Sequence, residues 1–145
     1  MAASTAIRSL PTRTRPAEAA RVCLDRLHSV ARSTESTLSP SVWKRFMGGA
    51  SKDHKRAVVA SSMEETRMLR SLLSETRTVA FSSPDGSLSA LLGSIDRIIK
   101  AMDAWRDAAV EFQEAAFGSE EELLRLTRKL SALCADLRNP ASGIA

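Results

Sequence analysis

Residues 88–116 read LSALLGSIDRIIKAMDAWRDAAVEFQEAA, with apolar positions at Leu88, Leu91, Ile95, Ile98, Met102, Trp105, Ala109, Phe112 and Ala116. Steps of three and four residues, sustained over four heptads, are the signature of one long helix with a continuous buried seam. The same rhythm resumes at Leu123, Leu126, Leu130, Leu133 and Leu137. Gly118 stands between the two runs as a helix stop. Ser119 and Glu122 have capping-box spacing, and Glu120 and Glu121 complement the positive end of the next helix dipole. The stretch therefore predicts a C-terminal helical hairpin, Leu88–Leu137.

Working outward, Ser82-Ser83-Pro84-Asp85-Gly86 is a strong turn signal, and Ser87 is placed to cap the hairpin's first helix. Before it, Ser51 is an N-cap for a helix reaching about Ala80. Its expected face is Val58, Ser62, Leu69, Leu72, Thr76 and Val79, weakened by Ser62, Glu65 and Thr76. Pro40 is suited to open a short helix, Ser41–Met47, which Gly48-Gly49 ends. Ser33 to Pro40 reads as a polar loop. Pro16, preset for a first helical turn, opens a helix to about Arg32 with its stripe at Ala20, Cys23, Leu24, Leu27, Val30 and Ala31. Asn139-Pro140 stops the last helix. The expected fold is an all-α helical bundle of four long helices plus one short helix over residues 16–138, with tails at 1–15 and 139–145.

Composition agrees with a single bundle domain. The chain has 145 residues, 43% apolar and 26% charged, with 4% aromatics and no Tyr, a balance that suits helices better than aromatic-rich sandwiches and barrels. Its longest apolar runs are a few residues, far below the ~20 needed to cross a bilayer. Cys23 and Cys134 both fall on apolar helical stripes and read as small buried hydrophobes in a reducing compartment. The expected location is intracellular, cytoplasmic or nuclear.

The net charge of +4 is unevenly spread. Residues 1–40 hold six Arg against three acids, residues 41–60 hold five Lys and Arg against Asp53, and the hairpin is mildly acidic. Residues 1–16 contain no acid but carry Arg8, Arg13 and Arg15 among Ser, Thr and Pro. That composition describes a disordered basic tail, and equally a transit peptide for a plastid or mitochondrion.

Little in the sequence points to catalysis. His28 and His54 lack metal-site spacing, and Cys23 and His28 are five apart, so they do not share a helical face. The Glu-x-x-His pair of di-iron bundles, a phosphate-binding glycine loop and a Gly-x-Ser-x-Gly elbow are all absent. Asp96, Asp103, Asp107, Glu111 and Glu114 run along one helix opposite its apolar seam. They read as a solvated face, with Asp96 and Lys100 at ion-pair spacing. No enzyme activity, metal or cofactor is expected.

Two features suggest contact surfaces. Trp43, Lys44, Arg45, Phe46, Lys52, Lys55 and Arg56 combine an apolar payload with a cationic rim, as in segments that dock on a partner or an anionic membrane surface. Nucleic acid is the weakest match, since no stacking platform or groove-reading motif accompanies the charge. Met63 and Met68 lie off the expected seam of the 52–80 helix, where they could face a partner or a second copy.

Ser9-Leu-Pro-Thr-Arg-Thr-Arg-Pro16, followed by Leu24-Asp-Arg-Leu-His-Ser29, resembles the opening of a plant family of helical proteins related to BYPASS. Arg15 stands where that family prefers His. The resemblance implies an all-α, non-enzymatic protein and carries over no active-site residues. The expectation from the whole sequence is a helical protein–protein interaction module: an adaptor, scaffold or regulatory subunit. The alternatives are a peripheral binder of anionic membranes acting through residues 42–56, and an organelle-imported helical protein.

Overall fold

The computed structural model describes residues 14–39, 52–82 and 88–138. Four helices run in chain order: α1 Thr14–Leu38, α2 Lys52–Ser82, α3 Ser89–Gln113 and α4 Ser119–Arg138. The expected short helix Ser41–Met47, residues 1–13 and residues 139–145 lie outside the described residues, and α1 opens at Thr14, two residues ahead of the expected start at Pro16. α1 packs against α2 and α4, and α3 packs against the same two helices, so the four close into a ring around one core.

Side-chain pairs fix the directions. Arg26 meets Glu65 while Thr34, further along α1, meets the earlier Ser62, so α1 and α2 are antiparallel. Arg70 with Asp103 and Arg77 with Asp96, seven residues apart on each helix but in opposite order, make α2 and α3 antiparallel as well. The short 114–118 turn folds α4 back on α3.

The hairpin seam is as expected. Leu88, Leu91, Ile95, Ile98, Met102, Trp105, Ala109 and Phe112 are all buried. Ala116 is not, because α3 ends at Gln113 and Ala116 falls in the turn. On α4 the buried line is Leu123, Thr127, Leu130, Cys134 and Leu137, while Leu126 and Leu133 sit half-buried on its flank. Thr127 accepts a 2.8 Å hydrogen bond from Trp105 Nε1 and donates to the Leu123 carbonyl at 2.7 Å. That bond satisfies the polar end of the largest core side chain, and it explains a hydroxyl on a buried seam.

Three expectations need correction. First, α1 continues through Ser33 to Leu38 rather than ending near Arg32. Thr34 and Leu38 point into the core, and the Thr34 and Thr37 hydroxyls bond back to the Val30 and Ser33 carbonyls, so the polar run fits a helix. Second, the buried face of α2 is Val59, Ser62, Thr66, Leu69, Leu73, Thr76 and Ala80, which leaves Leu72 and Val79 exposed. Third, the helix boundaries use different caps. Leu88, itself drawn into the core, occupies the N-cap of α3 with no side-chain cap bond. The Ser119 N–H goes to the Ala116 carbonyl, and the Glu122 carboxylate grips Arg125, so the two do not close a capping box.

The end of α3 is a Schellman turn with an unusual occupant. The Ala116 N–H reaches the Glu111 carbonyl and the Ala115 N–H that of Phe112, each at 3.0 Å. This geometry places Ala115 at φ 59°, a left-handed position that normally belongs to glycine, and Gly118 follows at φ 73°.

Candidate functional surfaces

The basic-aromatic segment 42–56 divides at the edge of the structure. Trp43, Lys44, Arg45 and Phe46 lie outside the described residues. Lys52 is exposed on the first turn of α2. Lys55 is half-buried and tied to Glu120 at 2.7 Å, while the Arg56 carbonyl accepts a 2.9 Å bond from Gln113. Arg56 Nε is buried without a hydrogen-bond partner among the described residues. The Lys55 side chain and the Arg56 backbone therefore help clasp the start of α2 to the α3–α4 turn. Beside that clasp, Phe117 is fully exposed at the tip of the hairpin turn, a feature that the sequence rhythm did not flag.

Of the two methionines, Met63 is half-buried and packs against the core, whereas Met68 is 53% exposed. Met68 has company. Leu72 is 42% and Val79 50% exposed, and positions 68, 72 and 79 fall within roughly 40° of one another around a helix of 3.6 residues per turn. Val22 on α1 is 45% exposed. It lies one turn before Arg26, and Met68 and Leu72 lie one and two turns after Glu65. The antiparallel register through Arg26–Glu65 therefore brings all of them to the outer α1–α2 face. Isolated exposed apolar side chains are ordinary, but several gathered on one face mark a contact surface.

The row of acids on α3 is not simply solvated. Asp103 takes a bidentate grip from Arg70 at 2.7 and 3.2 Å, and Asp96 pairs with Arg77 across the α2–α3 contact instead of with Lys100. Each bond holds its guanidinium above the usual range. Arg77 also lies 6.0 Å from the centre of the exposed Phe81 ring. A cleft of about 480 Å³ opens beside the Arg70–Asp103 pair, with Met102 and Trp105 at its base and Arg67, Arg70 and Arg106 along its sides. A second groove of about 690 Å³ lies between α3 and α4.

Cys23 and Cys134 are buried free thiols. Burial pushes the Cys23 thiol up to about 11, which is the opposite of an activated nucleophile. Among the described residues, no group of three or more His, Cys, Asp or Glu is placed to hold a metal ion. Among the same residues, no helix is long and apolar enough to cross a membrane.

Comparison with family models, curated proteins and solved structures finds no match to this chain.

Proposed function

We propose that this protein is a non-enzymatic helical interaction module, an adaptor, scaffold or regulatory subunit that works by presenting bundle faces to a protein partner. The observation that carries this reading is the exposed apolar cluster Val22, Met68, Leu72 and Val79 on the outer α1–α2 face. The cluster is edged by charges of both signs, Arg26 with Glu65 and Glu64 with Arg67, which suits a polar rim around an apolar centre. The resemblance of Ser9–Pro16 and Leu24–Ser29 to the BYPASS-related family supports the same reading, since it implies an all-α, non-enzymatic protein.

The test is a quantitative purification from a native extract with wild type and a Met68→Glu, Leu72→Glu variant. Both positions are exposed, so the variant should melt with the wild type while losing at least one stoichiometric partner. Identical partner sets, with the fold intact, would remove the α1–α2 face from the account. Light scattering of the two proteins shows whether the partner is a second copy.

A second reading is favoured by Phe117, which stands fully exposed at the end of the bundle that carries Lys52. An exposed aromatic tip suits a membrane surface. The cationic part of an anionic-surface contact comes from Lys52 and the Lys44-Arg45 pair that precedes it in sequence rather than from the turn, where Glu114 and Glu120–Glu122 flank Phe117. Co-sedimentation with phosphatidylserine vesicles at low salt, lost on Phe117→Glu, is the expected outcome. Absence of wild-type binding would eliminate it.

A further inference from the structure

The flank of α3 that faces away from α2 carries three small residues among Arg97 and Lys100. Gly93 is exposed, a Cβ added there would meet nothing within 4 Å, and Ala101 and Ala104 lie further along the same flank. From Gly93 to Ala104 the helix rises roughly 16 Å, about three turns. Opposite stand Leu126 and Leu133 of α4, seven residues apart and half-buried, with Leu130 at the base between them. Small residues on one wall and leucines on the other leave the apolar trough of about 690 Å³.

Charge around this trough runs against the charge of its surroundings. Residues 87–145 carry more acids than bases. Yet Asp96 and Asp103 are turned toward α2, Asp107 lines the α2–α3 cleft, and Glu111, Glu114 and Glu120 to Glu122 sit toward the turn end. What remains along the trough is Arg97, Lys100 and Lys129, with Asp136 as the one acid among its lining residues.

We propose that the α3–α4 groove is a docking site for an acidic amphipathic helix of a partner protein. Leucine-type anchors at i, i+4 and i+7 of the incoming helix meet Leu126, Leu130 and Leu133, while the small α3 flank lets its backbone come close. Its acidic edges meet Arg97, Lys100 and Lys129, which steer and orient it. The same rim disfavours the chain's own N-terminal segment, which carries Arg8, Arg13 and Arg15 and no acid. A recessed trough with an apolar floor is also a poor match to a lipid surface or to a phosphate backbone. This inference rests on the interaction-module reading but uses a face remote from the α1–α2 cluster. With two such faces, the bundle could hold two partners at once.

The probe is a fluorescein-labelled helical peptide of about 20 residues, long enough to keep helical character in isolation, with Leu at i, i+4 and i+7 and Glu on both flanks. It is titrated by fluorescence anisotropy against the full chain. Saturable binding that weakens with added salt is expected. Ala104→Trp fills the trough from an exposed position and should weaken binding about tenfold or more. Reversing Arg97, Lys100 and Lys129 together to Glu should abolish binding of this peptide and shift preference to its Lys-flanked counterpart. Circular dichroism confirms that both variants are folded, and the charge reversal, confined to exposed side chains, decides the matter if Ala104→Trp disturbs packing. Failure of the wild type to bind, unchanged binding by the folded variants, or equal binding of the Lys-flanked peptide would overturn the proposal. The Met68→Glu, Leu72→Glu variant should bind the peptide as wild type does. A lost peptide interaction beside an intact partner effect on the α1–α2 face would sink the groove and leave the module reading standing.

Discussion

Thr127→Val tests the core at its most exposed assumption, that one buried hydroxyl completes the polar valence of Trp105. Valine matches threonine in volume and β-branching, so packing and helix propensity barely change. The Leu123 carbonyl loses only its second donor, since it keeps its backbone helix bond. What the substitution removes is the acceptor that Trp105 Nε1 has among the described residues, 2.8 Å away, in a place where both side chains are shielded from water. Leaving a buried N–H unsatisfied costs about 1–3 kcal/mol. For a chain of this size that corresponds to a melting temperature lower by roughly 2–4 °C per kcal/mol. Trp105→Phe removes the same N–H together with some ring volume. In a double-mutant cycle the two changes should therefore be less than additive, with a coupling of about 1–2 kcal/mol. Urea denaturation followed by circular dichroism at 222 nm reads all four proteins. A Thr127→Val protein within about 0.5 kcal/mol of wild type, or a cycle with no coupling, would refute the pairing.

Phe112→Ala in the hairpin seam should cost about 3–5 kcal/mol in the same assay, as an ordinary large-to-small core change. Ala115→Gly relieves a left-handed alanine at the end of α3 and should raise stability by about 0.5–1 kcal/mol, whereas Gly118→Ala should lower it. Cys23 gives a pH signature. Its folded-state thiol titrates near 11 against an ordinary 9.0, so the unfolded chain loses its proton first and stability falls as pH rises from about 9 toward 11. The loss is up to about 2–3 kcal/mol across that window, and the Cys23→Ala variant should lack it. Native Cys23 should also resist alkylation at pH 8, reacting only on unfolding.

How much of this was legible in the sequence follows from how each helix is written. The hairpin could be read directly because one face of α3 is apolar at nearly every seam position and the opposite face is charged. α2 was harder, since Val58-Val59, Leu72-Leu73 and Val79-Ala80 put apolar residues side by side, and either member can complete a seam. The structure chooses Val59, Leu73 and Ala80, which together with Ser62, Thr66, Leu69 and Thr76 keep an unbroken alternation of three and four. That alternation was the available signal, but Ser and Thr were read as interruptions when they are core residues bonded internally, as in the 2.8 Å contact of Ser62 with Thr34. The one-residue rotation is also what turns Leu72 and Val79 outward beside Met68. The same effect on α4 sets Leu126 and Leu133 on the flank and forms the groove. Phe117 and the clasp at Lys55 and Arg56 depend on which helix ends meet, and helical periodicity carries no information about that.

The most direct test of the central claim, that the outer α1–α2 face meets a protein, is site-specific photocrosslinking in living cells. A benzoylphenylalanine at position 72 should give a discrete adduct of higher mass, while the same residue at exposed position 107 on α3, beside the α2–α3 cleft and away from the α3–α4 groove, should not. The adduct should disappear when Met68→Glu is added. Equal crosslinking at both positions, or none at position 72 in a folded protein, would contradict the account.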